Sequence, residues 1–111
     1  MDFEAMRSKA HLASTLLKAM ANERRLLILC YLAEGERSVG ELEELIGISQ
    51  SALSQHLARL RQDDLVLARR AAQNIYYSLS GDQAMQIIAT LHDILCRDEE
   101  QAPSNPVWNC N

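Results

Sequence analysis

The chain of 111 residues carries 11 Lys+Arg against 15 Asp+Glu, a formal net charge of −4, with 48% hydrophobic and only 5% aromatic residues. That hydrophobic share excludes a disordered chain, and no apolar run approaches the ~20 residues of a membrane span. The length suits one domain with one core, and the acidic balance argues at first sight against a nucleic-acid partner.

The start, Met1-Asp2-Phe3-Glu4, lacks the basic-then-apolar layout of a secretion signal, so a cytoplasmic location is expected. Phe3, Met6, Ala10, Ala13 and Leu17 then recur at steps of three and four, giving a first helix with one apolar stripe. Its other face holds Arg7, Lys9, Ser14 and Lys18. Asn22 is placed to cap a second helix, Glu23 to about Ala33. Leu26 to Leu32 is apolar almost all round, the mark of a helix buried at the centre of a fold. Ser38 with Glu41 forms a capping box for a short third helix, Val39 to Ile46, which Gly47 ends in a left-handed conformation. Ser49 caps a fourth helix reaching Arg61 or Gln62, with Leu53, Leu57 and Leu60 as its inner stripe.

The rhythm changes after that. Leu65 to Ala68 and Ile75 to Leu79 are short apolar, partly β-branched and aromatic runs joined by Arg69 to Asn74, which predicts a hairpin. A second capping box, Ser80 with Gln83, opens a last helix from Asp82 to about Arg97. The order is helix, helix, helix-turn-helix, hairpin, helix. The predicted fold is therefore mainly α with a β-hairpin wing, a winged helix-turn-helix over residues 1–97, followed by a flexible Pro/Ser/Asn tail at 98–111.

The third and fourth helices are joined by Gly47-Ile48-Ser49, a short turn containing Gly as a helix-turn-helix requires. At about 20 Å, the fourth helix is long enough to lie in a major groove. With its leucines turned inward, Gln50, Ser51, Ser54, Gln55 and Arg59 face outward. Gln and Ser read base edges, and Arg grips guanine or phosphate. An ordinary solvated face would favour Glu and Lys, so this pattern points to double-stranded DNA. His56, beside Leu53 and Leu60, reads as structural. Arg69, Arg70, Gln73 and Asn74 are expected at the hairpin tip, where they would meet backbone phosphate or the minor groove.

Four segments together resemble the ArsR/SmtB family of winged-helix repressors: Leu17-Lys18-Ala19-Met20-Ala21-Asn22-Glu23-Arg24-Arg25-Leu26, Ser38-Val39-Gly40-Glu41-Leu42, Gly47 to Leu57, and Ile75-Tyr76-Tyr77-Ser78-Leu79. The resemblance runs over about residues 12–97. It implies a homodimer built from the first and last helices that binds a palindromic operator and releases it when an inducer binds. The apolar stripes agree with such an interface: Phe3, Met6, Ala13 and Leu17 on the first helix, and Ala84, Ile87, Ile88, Leu91 and Leu95 on the last. A monomer of this size has little core left to cover both. Two recognition helices would then meet half-sites about 34 Å apart.

Many members of this family sense metals, but both familiar sites are broken here. Ser38-Val39-Gly40 stands where one has Cys-Val-Cys, and Ser or Gly cannot replace a thiolate for a soft metal. The other uses Asp and His at both ends of the last helix, where this chain has Asp82 but only His92, with His11 the one other nearby candidate. No metal and no cofactor are expected. Sulfur remains. Cys30 and Cys96 lie 66 residues apart with no Cys-x-x-Cys. Such a pair in the cytoplasm is more often redox-active or metal-binding than a structural disulfide, and the plain alternative is two small buried hydrophobes beside Leu29 and Leu95.

The placement of the two cysteines is similar to that in one branch of the family, dithiol repressors that answer to persulfides and oxidants, and the related haemolysin-gene regulators share the arrangement. The resemblance implies that Cys30 and Cys96 become bridged, directly or through added sulfur, with reactive sulfur species or oxidants as the inducer. His92, one helical turn before Cys96, would help lower that thiol's pKa. Cys110, outside the matched region, reads as an accessory thiol. Three other readings stay open: a metal or metalloid sensor using Cys30, Cys96 and either His92 or Cys110, an activator that displaces another repressor, and a dimeric thiol-bearing module whose winged helix contacts protein. No nucleophile–base–orienter set and no phosphate loop is present, so no enzyme is expected.

The acidic balance now reads differently. Glu23, Glu34, Glu36, Glu41, Glu43 and Glu44 lie on the second and third helices and their connection, and Asp93, Asp98, Glu99 and Glu100 at the far end. From Gln50 to Tyr76 there are Arg59, Arg61, Arg69 and Arg70 against Asp63 and Asp64, a local excess of two positive charges. Affinity for DNA comes from the local patch, not the net charge.

Overall fold

The computed structural model describes residues 2–96. In chain order the elements are α1 (Phe3–Met20), α2 (Glu23–Ala33), β1 (Arg37–Ser38), α3 (Val39–Ile46), α4 (Gln50–Gln62), β2 (Val66–Ala71), β3 (Asn74–Leu79) and α5 (Gln83–Cys96). This is the mainly helical winged helix-turn-helix that the sequence predicts. The tail at 98–111, with Cys110, and the expected helix end at Arg97 lie outside the described residues.

The helix starts are set by side chains that take up orphan amides. Asn22 Oδ1 accepts from the amides of Arg24 and Arg25 at 3.0 and 3.1 Å, and Ser49 Oγ accepts from Ala52 at 3.1 Å. The reciprocal capping box of α3 is complete: Glu41 N donates to Ser38 Oγ at 3.1 Å, and Ser38 N donates to Glu41 Oε1 at 2.8 Å. Gly47 ends α3 at φ 76°, where a residue with a Cβ is strained. The turn after α4 uses the same geometry without a glycine. Asp64 sits at φ 57°, and Leu65 N donates back to Leu60 O at 2.9 Å.

The core gathers around α2, whose residues Ile28 to Leu32 are all buried. Leu42 of α3, Leu53, Leu57 and Leu60 of α4, and Leu65 just before β2 close against it. Two strands of the wing pair as Val66↔Leu79 through Ala71↔Asn74, and β1 adds to the outer edge of β3 in the order β1-β3-β2. No helix among the described residues is long and apolar enough to cross a membrane.

Three local expectations change. The hairpin connection is not Arg69 to Asn74. The ladder continues through Arg69↔Tyr76 and Arg70↔Ile75, leaving only Ala72 and Gln73 as the loop, with Ala72 at φ 56°. A two-residue loop needs a left-handed residue, and an alanine there gives no glycine signal to read. The strand β1 was not foreseen, since two residues cannot show a period. Ser80 does not cap the last helix: its amide donates to Leu65 O at 2.9 Å, and Asp82 receives the first helical bond, from Gln86 N at 3.0 Å.

Ser38 serves both as a strand residue paired with Tyr76 and as the cap of α3. Ser38→Ala is expected to lower the unfolding free energy by about 1 kcal/mol, read from the urea midpoint. A change below about 0.3 kcal/mol would show the cap to be replaceable by water.

Candidate functional site

The stripe Leu53, Leu57 and Leu60 seats α4 on the core, which leaves Gln50, Ser51, Ser54, Gln55 and Arg59 exposed as expected. At 100° per residue, Ser51, Gln55, Ala58 and Gln62 point straight outward, while Gln50, Ser54 and Arg61 fall on one flank and Arg59 on the other. The helix begins with free amides behind the Ser49 cap and no acid in its first turn, a favourable end for an anion.

The first flank faces the wing. Gln50 lines a recess of about 260 Å³ with Gln73 and Asn74 of the wing tip and Gly40 and Glu43 of α3. The structure thus brings together groups that the sequence placed in two separate contacts. On the other flank, α4 meets the start of α2. There Arg25 Nε donates to Ala19 O at 2.6 Å and its Nη2 to Lys18 O at 3.1 Å, tying down the C-terminus of α1. Burial, with Arg25 and Arg24 next in weight, pushes the His56 pKa below its ordinary value, so His56 stays neutral at pH 7. Arg24 and Arg25 add positive charge that sequence reasoning did not assign to this face. The Arg-Arg pair was visible, but its place beside α4 was not.

The arginines differ in how they are held. Arg59 Nε donates to Asp63 Oδ2 at 2.8 Å. Arg69 is gripped by both oxygens of Glu36, at 2.6 and 3.1 Å, with its guanidinium 4.9 Å from the Tyr76 ring centre. Hydrogen bonding to that guanidinium holds the Glu36 carboxyl below the usual carboxylate range. Successive strand residues point to opposite faces. Arg70 therefore lies on the other side of the wing from Arg69, and neither sits at the tip as expected, because the ladder reaches Ala71.

The cysteines occupy contrasting surroundings. Cys30 is a free thiol in the middle of α2, 2% exposed. Burial, and secondarily the negative charge of Glu34, pushes its pKa up to about 12. Cys96 is half-buried in the last turn of α5 and is held in a disulfide, so its partner is not Cys30. His92, also half-buried, is one turn earlier. Helices α2 and α5 pack against each other. Ser38 is engaged as a helix cap, and no group of three or more His, Cys, Asp or Glu among the described residues could hold a metal ion.

The expected dimer residues divide. On α1, Phe3 is 79% and Leu17 55% exposed, with Met6 and Ala13 also open to solvent. On α5, Leu95 is 59% exposed and Leu91 and Ile87 half-buried, but Ala84 and Ile88 belong to the protomer's own core. The stripe was too wide by one side, because its core-facing and outward residues are both apolar. Ile94, 56% exposed, and Met85 extend the outward face instead.

Comparison with known proteins follows the same lines. The profile of the family described as bacterial regulatory protein, arsR family, matches residues 22–67. The transcriptional activator HlyU of Vibrio cholerae is 50% identical over 97 residues, covering 87% of this chain and 90% of that protein. The biofilm growth-associated repressor of Xylella fastidiosa is 43% identical over 99 residues, covering 89% and 87%. A solved structure of reduced HlyU from Vibrio cholerae superposes with a TM-score of 0.80 at 51% identity, covering 85% of this chain and 99% of that one.

A thiol whose folded pKa lies above its unfolded value stabilises the fold fully below the unfolded value of 9.0, and that stability is lost as pH rises toward about 12. Wild type is therefore expected to lose more stability between pH 8 and 10.5 than Cys30→Ala, by urea unfolding at both pH values. Equal losses would mean that Cys30 titrates as an exposed thiol does.

Proposed function

The chain belongs to the arsR family of bacterial regulatory proteins and is a DNA-binding transcriptional regulator, and we propose that it acts as a homodimeric repressor whose palindromic operator is released when Cys30 and Cys96 become bridged. The observation that carries the DNA reading is the uncharged, hydrogen-bonding face Gln50, Ser51, Ser54 and Gln55 over the capped start of α4. Such side chains pair with base edges in the major groove, and the surrounding cations supply phosphate contacts. The exposed apolar faces of α1 and α5 support a second copy as the partner that covers them, since large apolar patches on a monomer mark interaction sites.

The switch reading rests on the packing of α2 against α5, each carrying one cysteine. Cys96, half-buried, is the entry point, and Cys30, enclosed in the core, is the resolving thiol. Once Cys96 Sγ is bonded to a second sulfur, a Cys30 thiolate attacks Sγ. The Cys30–Cys96 bond forms, the second sulfur leaves as thiolate or hydrosulfide, and the Cys30 proton passes to water. The electrons go to the disulfide or polysulfide that loaded Cys96. With a pKa near 12, Cys30 yields little thiolate at pH 7, so the step waits on local opening between α2 and α5. Bridging then moves α5, which is also the proposed dimer seam, and so changes the spacing of the two α4 helices.

The Vibrio cholerae relative is named an activator, which favours a second reading in which this chain raises transcription by displacing another repressor. A reporter fused to the regulated promoter separates the two: deletion of the gene raises expression for a repressor and lowers it for an activator.

Three outcomes are expected. Sedimentation gives a dimer, and Leu95→Asp shifts it to monomer with loss of operator binding. Treatment of the reduced protein with polysulfide yields a bridged species by mass, and its affinity for the duplex upstream of its own gene falls at least fivefold, a coupling of about 1 kcal/mol or more. Cys30→Ser abolishes the response. Unchanged affinity in a confirmed bridged species would sink the switch, and an undiminished response of Cys30→Ser would sink the site.

A further inference from the structure

We propose that a DNA backbone phosphate is taken between Arg61, near the end of α4, and Arg70, on β2. The proposal rests on the DNA reading above and names which cations make the wing contact. Both residues line one recess of about 220 Å³, walled by Ala68, Ile75 and Tyr77. The recess follows from two periodicities. On α4, Gln50, Ser54 and Arg61 lie on the flank facing the wing. On β2, Ala68 and Arg70 lie on the face opposite Arg69, and Ala68 is small enough to leave a floor beneath the two guanidinium groups.

Ile75 walls both this recess and the one that holds Gln50, Gln73 and Asn74. The two form adjoining parts of one groove between α4 and the wing. One part offers uncharged hydrogen-bonding groups, the other two cations.

Pairing distinguishes these cations from the rest. Arg37 is bonded to Glu34, Arg59 to Asp63 and Arg69 to Glu36. Among the described residues, no carboxylate lies within ion-pair distance of Arg61 or Arg70. Two unpaired guanidinium groups at one concave site repel each other, and an anion between them relieves that repulsion while using donors arranged for phosphate oxygens. Arg69, its fork filled by the two oxygens of Glu36 and its face on Tyr76, is a brace joining the strands of the wing.

The test measures binding of the reduced full chain to two labelled duplexes, its own upstream region and a random sequence of equal length, at several salt concentrations. Arg61→Ala and Arg70→Ala are each expected to weaken binding to both duplexes by about five- to twentyfold. Each should lower the magnitude of the slope of log affinity against log salt by about 0.9 for every protomer engaged. Arg61→Lys and Arg70→Lys recover most of the slope, because the charge is kept. Lys9→Ala, on the exposed polar face of α1, changes affinity less than twofold. Both positions are exposed, so thermal melting of each variant confirms the fold. Wild-type slopes retained in Arg61→Ala and Arg70→Ala, with Gln55→Ala losing preference for the upstream duplex, would overturn the phosphate site and leave the DNA reading intact. A loss for Lys9→Ala as large as that for Arg70→Ala would also overturn it. Failure of wild type to bind either duplex at low salt would overturn both.

Discussion

Burial of α2 on all sides is the constraint from which the rest of the molecule follows. Ile28 to Leu32 are all buried, so the neighbouring elements turn apolar side chains toward them. Helix α4 is oriented by this demand: seating Leu53, Leu57 and Leu60 fixes which of its residues look out and presents four uncharged polar side chains together. The wing is placed by the same demand through Leu65, Val66 and Tyr77. What α2 does not absorb is the length of α1 and the outer face of α5. The core closes on Ala19 and Met20 at one end and on Ala84 and Ile88 at the other, and the apolar residues beyond them stay open.

Charge is organised by pairing more than by excess. The acidic total argues against a nucleic-acid partner, yet two of the acids are engaged within the protein by arginines of α4 and the wing. Glu36 reaches Arg69 across β3, 33 residues away in sequence, and Asp63 holds Arg59 one turn earlier on α4. A count of charges along Gln50 to Tyr76 therefore describes this face incompletely, leaving out Glu36 at the wing and Arg24 and Arg25 beside α4. Among the described residues, the cations of this face without a carboxylate partner are Arg61 and Arg70 at the wing and Arg24 and Arg25 beside α4. Exposed ion pairs contribute at most about 1 kcal/mol each to stability, so their main effect is on which guanidinium groups remain available to an external anion.

Much of this was legible from the residues. Helix limits set by Asn22, Ser38, Gly47 and Ser49 fell where the structure has them, because capping is a local interaction that short sequence patterns encode. The outward set on α4 was legible for the same reason, since three leucines fix a helix's rotation. The failures share a different cause. Strand β1 is two residues long and exists only because β3 pairs with it. The tight hairpin loop relies on a left-handed alanine, and the α4–β2 turn on a left-handed aspartate, where the sequence offers no glycine. Ala84 and Ile88 were assigned to a partner because a helix apolar on two faces does not say which face meets its own core. In each case the deciding contact is distant in sequence.

The position of Cys30 brings these strands of argument together. A reactive thiol is normally low in pKa and accessible, and Cys30 is neither, being a small apolar group in the most crowded helix of the fold. Its burial keeps the thiol in the protonated, unreactive form at neutral pH. That same burial gives any bridge mechanical consequence. A bond to an exposed thiol would tether a surface and move nothing, whereas a bond from the centre of α2 must reposition α5 or repack the core around it, and interiors of this density do not deform gradually. The burial that makes Cys30 a poor nucleophile is thus what would make it an effective lever. In the proposed switch the reactive side is therefore α5, where Cys96 is only partly covered at the end of the helix and already engaged in a disulfide.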